Sequence, residues 1–421
     1  MMPHIVFVTH GYVPDSDANI TCTRNIICGL LQKGYVVSCV CGGSLAEDMK
    51  EPFVGGVRVI RVPHTTYEQT VNACRSSFMR AVYQARHIVK GVALLPRFPN
   101  TSPKFADALY RVLEDLNTER HIDCIVGVFR PYAPVFAAMK YKKKHTDVKV
   151  IGYYLDILKG AVKPPLLPQS MYEYLCDHRE KRIFCKLDCI LMAENGRRFY
   201  DGNSLFNSIK HLHYINFPTL ILSDETGDGA PCSEMGKIML TYAGYMDKQY
   251  RNPEIVIIDI IALAECSERP VELHLYGSSN MDDTIDSYVK KYPKTIFYHG
   301  RVAKKEADAA VARATAIISI GNDLKGVVPS KIFELFATKK KLLHFSDNRM
   351  DETLSYFELY PNACIIDKSQ LPADAASVIK NFLELSPKPI SNEFLKKSFF
   401  SATPDLTISY IEKECTHGTG C

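Results

Sequence analysis

Along most of this chain, short apolar runs of strand character alternate with longer stretches of helical periodicity, and the alternation stops once and then restarts. Strand-like runs fall at 5–9, 35–41, 57–62, 122–128, 148–153, 189–193 and 213–215. Helical spacing fills the intervals. Over 19–33, Ile26, Ile27, Leu30 and Leu31 recur every three to four residues, and Gly34 stops the run. Further helices are read at 71–90, near 104–117, between 128 and 148, and at 171–186. A loop of Ser, Asp, Gly and Pro follows at 223–231 and reads as a linker. Strands then resume at 238–243, 272–276, 295–298, 316–320, 341–345 and 363–366, with helices between them and more helix after Pro404. Alternation with short links predicts parallel sheets covered on both faces by helices. Two such sets joined by one linker predict two doubly wound α/β domains, 1–222 and 236–400, facing each other across a cleft. A helical tail over 401–421 is expected to pack back toward the first. Ligands in such sheets bind beyond the carboxyl ends of the strands.

Composition removes several classes of function. The chain has 421 residues, 46% hydrophobic and 23% charged, which suits a globular protein of two or three domains. Its most apolar run, 255–264, is about half the roughly 20 residues of a membrane span and contains Asp259. The start passes directly into an apolar run without a basic segment, so no signal peptide is expected. The 14 cysteines include no CxxC pair, so zinc-ribbon and redox motifs are not expected and reduced, mostly buried thiols are. Two sequons, at Asn19 and Asn100, are discounted for want of a signal peptide. Charge is uneven. Residues 1–220 hold 28 Lys+Arg against 19 Asp+Glu, net +9, and the remainder is net −5. A basic first half suits an anionic membrane surface or anionic substrate, or is simply a solvated face. Residues 71–90 place Val71, Cys74, Phe78, Val82, Ala85 and Val89 at helical spacing among Arg75, Arg80, Arg86 and Lys90. That stripe is either a core face or a face for an anionic bilayer. Lys140, Lys142, Lys143 and Lys144 form a second basic cluster.

The stretch 318–335 carries the clearest chemistry. A strand ends at Ile320, a Gly321-Asn322 turn follows, and Pro329 suits the first position of a helix that continues Ser330-Lys331-Ile332-Phe333-Glu334. A helix N-terminus, a hydroxyl and a cation suit a diphosphate, and Glu334 one turn on suits sugar hydroxyls. An unadorned strand–loop–helix unit accounts for the same spacing.

The block Pro329 to Glu334 resembles the donor site of the family 4 glycosyltransferases, which have the GT-B fold of two Rossmann-like domains. Four more blocks agree in order: 4–17, Thr241 to Tyr245, Leu273 to Gly277, and His299 to Val302. The resemblance implies transfer of a hexosyl or N-acetylhexosaminyl group from a nucleotide-sugar to a surface polysaccharide or lipid-linked glycan. It implies retention of configuration, no metal and a UDP-sugar in preference to a GDP-sugar. The absence of targeting signals makes a cytoplasmic place, or one at the inner face of a membrane, the expectation. Asp282-Asp283 opens a helix and is not read as a metal motif. By the resemblance Glu334 contacts the ribose, Arg251 and Lys331 neutralise the diphosphate, and the backbone at Val302 faces the base. Asn322, Pro329 and Ser330 complete the donor site, and Gly11 lets the first domain's backbone approach the phosphates. Asp156, after the strand read at 148–153, is assigned a catalytic role near the reacting carbon, and Glu334 is assigned a catalytic role as well. Arg130 and Tyr132 are assigned to the acceptor. Two departures stand out: Gly326 where the family has a glutamate, with Asn322 or Asp323 as substitutes, and Tyr245 where it has an arginine. Both favour the rival reading of an inactive partner or binding protein of the same fold; a nucleotide-sugar epimerase is the other rival. Nucleic-acid binding is not expected, because the basic residues are not interleaved with aromatics.

Overall fold

The computed structural model describes residues 2–12, 17–43, 53–64, 76–160, 163, 167–222, 236–322, 328–347 and 351–416. The chain divides into two compact units, Met1–Thr219 with Ser401–Cys421, and Leu220–Phe400. The linker read at 223–231 lies outside the described residues.

In the first unit the strands are β1 (His4–Thr9), β2 (Val36–Gly43), β3 (Phe53–Val54), β4 (Val57–Pro63), β5 (Cys124–Phe129), β6 (Lys149–Tyr154), β7 (Cys189–Ala193) and β8 (Leu212–Ile215). They form one sheet in the order β3-β4-β2-β1-β5-β6-β7-β8. Every pairing is parallel except β3 with β4, which is antiparallel. Its helices are α1 (Ala18–Gln32), α2 (Ser77–Ala93), α3 (Pro103–Glu119), α4 (Ala133–Lys142), α5 (Gln169–Phe184) and the short α6 (Arg197–Tyr200).

Strand alternation sends side chains to opposite layers. Val6 and Val8 of β1 pack with Leu109 and Leu113 of α3 and Val135 of α4. Ile5 and Phe7 pack on the other side with Ile26, Ile27 and Leu30 of α1. Asp17 caps α1 by accepting the Ile20 N–H at 2.8 Å. Gly34 ends the helix with a φ of 85°, a conformation that favours glycine.

The second unit holds β9 (Ile238–Ala243), α7 (Glu254–Cys266), β10 (Val271–Tyr276), α8 (Asp282–Lys291), β11 (Ile296–Gly300), α9 (Lys304–Arg313), β12 (Ala316–Ile320), α10 (Lys331–Ala337), β13 (Lys341–Ser346), α11 (Leu354–Leu359), β14 (Ala363–Asp367), α12 (Pro372–Glu384) and α13 (Asn392–Ser398). Its sheet is parallel throughout, in the order β11-β10-β9-β12-β13-β14. Leu240, Leu273 and Ile318 pack against Ile257 and Ile260 of α7 and Ile379 of α12. The apolar run 255–264 is therefore a core helix, and no helix among the described residues is long and apolar enough to cross a membrane.

After this unit the chain returns to the first. α14 (Pro404–Thr416) lays Ile408 and Ile411, both fully buried, on the α1 face of the sheet. Gly29 of α1 permits the approach: a Cβ there would lie 2.5 Å from Ile408 Cδ1.

The structure adds to or corrects the sequence reading at four points. β3 is too short for a periodicity argument to find. The described helix from the 71–90 stretch opens at Ser77 and runs to Ala93, and residues 71–75 lie outside the description. Its apolar stripe is not a core face, since Phe78, Val82, Val89 and Val92 are exposed. Most of the basic cluster at 140–144 is compensated: Lys140 pairs with Asp107, Lys142 with Asp188 and Lys144 with Glu114.

Candidate functional site

In the second unit the carboxyl ends of β9, β10 and β11 meet at three glycines. The Gly244 N–H donates to Tyr276 O at 2.9 Å and the Gly277 N–H to Gly300 O at 2.7 Å. Gly277 has φ 131°, and a Cβ there would lie 1.9 Å from Gly244 O, so no other residue fits. The close approach leaves the Ala243 carbonyl at the rim, where the Lys331 ammonium donates to it. Lys331 as a whole is exposed. Burial lowers its pKa, Glu334 opposes that shift, and the neighbouring cations Lys304 and Arg251 add to it. Glu334 stands in the first turn of α10, half-buried, with Lys304 Nζ at 3.9 Å. Lys304 also holds Asp308 at 3.1 Å. Arg251 lies beside the Tyr242 hydroxyl, whose pKa burial pushes up to about 12 and Arg251 draws back.

The structure thus brings Arg251, Lys331 and Glu334 to one strand-end rim. It adds Lys304, which the sequence reading missed. The signal available for it was a Lys-Lys-Glu opening of a helix directly after the Gly300-Arg301-Val302 turn. Val302 packs half-buried on Ala243, Tyr276 and Ala310 at the same rim. Asn322 is buried just beyond β12. Asp323 and Gly326 lie outside the described residues.

The helix expected to open at Pro329 opens at Lys331 instead. Pro329 precedes it and accepts the Ile332 N–H at 3.4 Å, and Ser330 is the cap residue. The turn that precedes the helix therefore takes up the two positions assigned to it from sequence.

Behind the β12 turn lies a buried network the sequence did not announce. His344 Nε2 is 2.8 Å from Asp351 Oδ2 and its Nδ1 is 3.1 Å from Ser319 Oγ. Thr353 Oγ1 donates to Asp351 at 2.6 Å. Burial pushes the Asp351 carboxyl up, but the bonds from His344 and Thr353 outweigh it and hold the group at about 2. A Cβ on Gly321 would lie 2.2 Å from this carboxylate, so the turn is built tightly against it.

In the first unit, β1, β5 and β6 are neighbours in the sheet, and the polar residues of interest follow their carboxyl ends. Gly11 is buried after β1. Next to it, His10 Nε2 pairs with Asp17 Oδ2 at 2.8 Å, while the buried His10 Nδ1 has no partner among the described residues. Burial raises the Asp17 pKa, and the bonds from His10 and the Ile20 N–H more than reverse it. One ring nitrogen of His10 is thus held by a carboxylate, and the other remains for a further hydrogen bond. Asp156 sits two residues beyond β6, half-buried, and has no hydrogen-bonding partner among the described residues.

Arg130 is exposed after β5. Tyr132 is not at the surface. It is buried, and its hydroxyl donates to Glu180 Oε1 at 2.8 Å. Tyr200 of α6 donates to Glu180 Oε2 at 2.9 Å. Tyr132 thus holds the Arg130 turn from behind, through its bond to Glu180. Glu180 is fully buried, and burial pushes its carboxyl up to about 7 against the pull of the two hydroxyls. A cavity of about 280 Å³, lined by His4, Ser38, Arg58 and Arg120 among others, lies at the opposite, amino end of β1 and β2.

No group of three or more metal-ligating side chains occurs among the described residues. Most of the described cysteines are buried.

No protein-family model matches the chain, and no curated protein matches it in sequence. Solved structures do resemble it over its whole length. A glycosyltransferase from Rickettsia africae covers 99% of this chain and 98% of its own, with TM-score 0.57 and 11% identity. The catalytic domain of starch synthase IV from Arabidopsis thaliana, bound to ADP and acarbose, covers 99% of each chain with TM-score 0.59 and 9% identity. HepE from Anabaena, in complex with UDP, covers 99% of this chain and 98% of its own with TM-score 0.52 and 11% identity. At such identities the likeness speaks to the fold, and that fold is GT-B.

Proposed function

We propose that this chain is a glycosyltransferase that moves a sugar from a nucleotide-sugar held on its second unit to a glycan or lipid-linked glycan acceptor held on its first. The observation that carries the reading is the convergence of Arg251 with Lys331 and Glu334, which share one turn some 80 residues further along the chain, on the rim formed by β9 and β10. Two cations beside one carboxylate match a diphosphate attached to a ribose. Arg251 presents a fixed guanidinium to phosphate oxygens. Lys331 turns its ammonium from the Ala243 carbonyl to the phosphate, which restores the charge that burial disfavours. Glu334 exchanges its distant partner Lys304 for ribose hydroxyls. The bound ADP and UDP of the two structural neighbours are consistent with a nucleotide at this fold, and we favour a UDP-sugar here. Positive charge from Arg251, Lys331 and Lys304 stabilises the leaving diphosphate without a metal.

On the acceptor side, Asp156 orients the incoming hydroxyl or stabilises developing positive charge at the sugar carbon, with retention of configuration. Arg130 binds an anionic group of the acceptor, and Glu180 and Tyr132 hold the turn that carries it.

Calorimetric titration with UDP and GDP, without added metal, tests the reading. One nucleotide is expected to bind, with Glu334→Ala and Lys331→Ala each weakening it about 10- to 100-fold, as loss of a charge-assisted contact does. Binding that both variants leave unchanged overturns the site. Tyr245, exposed where the resembled family has arginine, favours a chain that keeps the fold without turnover. Absence of binding by either nucleotide moves the assignment there.

A further inference from the structure

Arg251 reaches the rim from an irregular loop, and that loop is tied down at several points. Asp247 and Arg251 exchange backbone bonds: the Asp247 N–H donates to Arg251 O at 3.2 Å and the Arg251 N–H to Asp247 O at 2.9 Å. The Asp247 carboxylate turns into the loop so closed. Its Oδ1 accepts the Gln249 N–H at 2.8 Å and the Tyr250 N–H at 3.0 Å. Its Oδ2 accepts the Asn280 side-chain amide at 2.6 Å, and Asn280 Oδ1 takes the Lys248 N–H at 3.0 Å in return. Met246, fully buried, pairs with Ser279 through the backbone and fastens the same two segments. Asp247 and Asn280 thus clasp the loop after β9 to the loop after β10.

Electrostatics gives the clasp a purpose. Arg251 stands beside the Tyr242 hydroxyl, close enough to Lys331 for the two cations to repel. On a slack loop, a long cationic side chain in that position swings away into water. Asp247 is also an acid four residues from Arg251, and pairing the two would take the guanidinium away from a phosphate. The clasp prevents both. It fixes the loop from which Arg251 projects, and it engages the Asp247 carboxylate with N–H donors from Gln249, Tyr250 and Asn280. Asp247 makes no ion pair with Arg251.

We propose that Asp247 and Asn280 are positioning residues for the donor diphosphate: their clasp presets the loop so that the Arg251 guanidinium meets the phosphates beside Lys331 without first having to be ordered. The inference rests on the nucleotide-sugar reading of this rim and adds to it two residues that act through Arg251.

The test is calorimetric titration of the full chain with UDP and GDP, on variants that exchange the two side chains. Asp247→Asn alone leaves one N–H of the clasp without an acceptor, whichever way the two amides turn. Asn280→Asp alone sets two carboxylates against each other. The two substitutions together restore every bond with the charge moved across: an amide donates to a carboxylate, and the remaining oxygens still accept the Gln249, Tyr250 and Lys248 N–H groups. Each single substitution is expected to weaken binding about 3- to 10-fold, and the exchange to return it to within about twofold of the parent. Asp247→Ala is expected to weaken binding about tenfold in the parent and less than about twofold in the Arg251→Ala background, where no guanidinium is left to place. Support that is merely structural gives the same loss in both backgrounds, and that result overturns the proposal. So do single variants with the parent's affinity, or an exchange that keeps the parent's melting temperature and does not regain affinity. A parent chain that binds neither nucleotide removes the donor reading and the proposal with it. Binding lost in Arg251→Ala but intact in Asp247→Ala removes the clasp alone.

Discussion

Glu180 shows how much one side chain can hold. It is a fully buried carboxyl with two tyrosine hydroxyls on it and no ion-pair partner among the described residues; Lys159, whose charge reaches it, is committed to Asp177 at 2.7 Å. Its folded pKa of about 7 stands above its ordinary 4.5. The folded state therefore binds more protons than the unfolded one between those values, and stability falls as pH rises through that window. The stabilisation is complete below about pH 4.5 and gone above about 7, with a ceiling of about 3 kcal/mol. Glu180→Gln keeps the shape and one acceptor oxygen, so urea midpoints measured from pH 4.5 to 7.5 should fall for the parent and stay nearly flat for the variant, other groups being equal. Parallel slopes in the two proteins would refute the assignment. None of this was legible in the sequence. Glu180 sits in the charged run Asp-His-Arg-Glu-Lys-Arg, where it reads as solvated, and its partners Tyr132 and Tyr200 are 48 and 20 residues away. Glu334 and Lys331 were legible because their chemistry is local, three residues apart on one turn. Arg251 was legible only through the resemblance.

At the scale of elements, the strands of both units were readable because parallel strands buried on two faces are nearly continuous apolar runs. β7 (Cys189–Ala193) and β9 (Ile238–Ala243) begin and end where the apolar runs do. The helix at 331 was misplaced by two residues because proline at a first turn and proline before a turn look alike from sequence. The stripe of α2 was visible, but periodicity says that a helix has an apolar face and not which way it points. α14 gives the opposite case, an apolar face fully used. Truncating Ile408 to Ala removes a buried side chain that fills the notch at Gly29, at an expected cost of about 2–4 kcal/mol. A change under about 0.5 kcal/mol in denaturant unfolding would mean that α14 contributes little to the first unit.

For the whole molecule, two units with separate apolar cores need not unfold as one cooperative transition. A nucleotide that binds only the second unit stabilises that unit, by about 2.7 kcal/mol at a hundredfold excess over its dissociation constant. Calorimetric scans with and without UDP should therefore show one transition moving up by several degrees. If the scan resolves two, the other should stay in place. Ile408→Ala should do the reverse and lower only the transition that UDP leaves alone. If nucleotide and mutation move the same transition, the units are thermodynamically one.

The return of α14 to the first unit has a consequence for the order in which the protein can be made. The first unit is written at both ends of the message, and Ile408 and Ile411 leave the ribosome after the entire second unit. At roughly 5–20 residues per second, the interval between Thr219 and Pro404 lasts on the order of ten to forty seconds. Throughout it the part of the first unit's core that Ile408 and Ile411 later cover stays open. Synthesis thus leaves a sticky surface in waiting, and the half-minute before the tail arrives is when a nascent chain of this kind has most need of a chaperone.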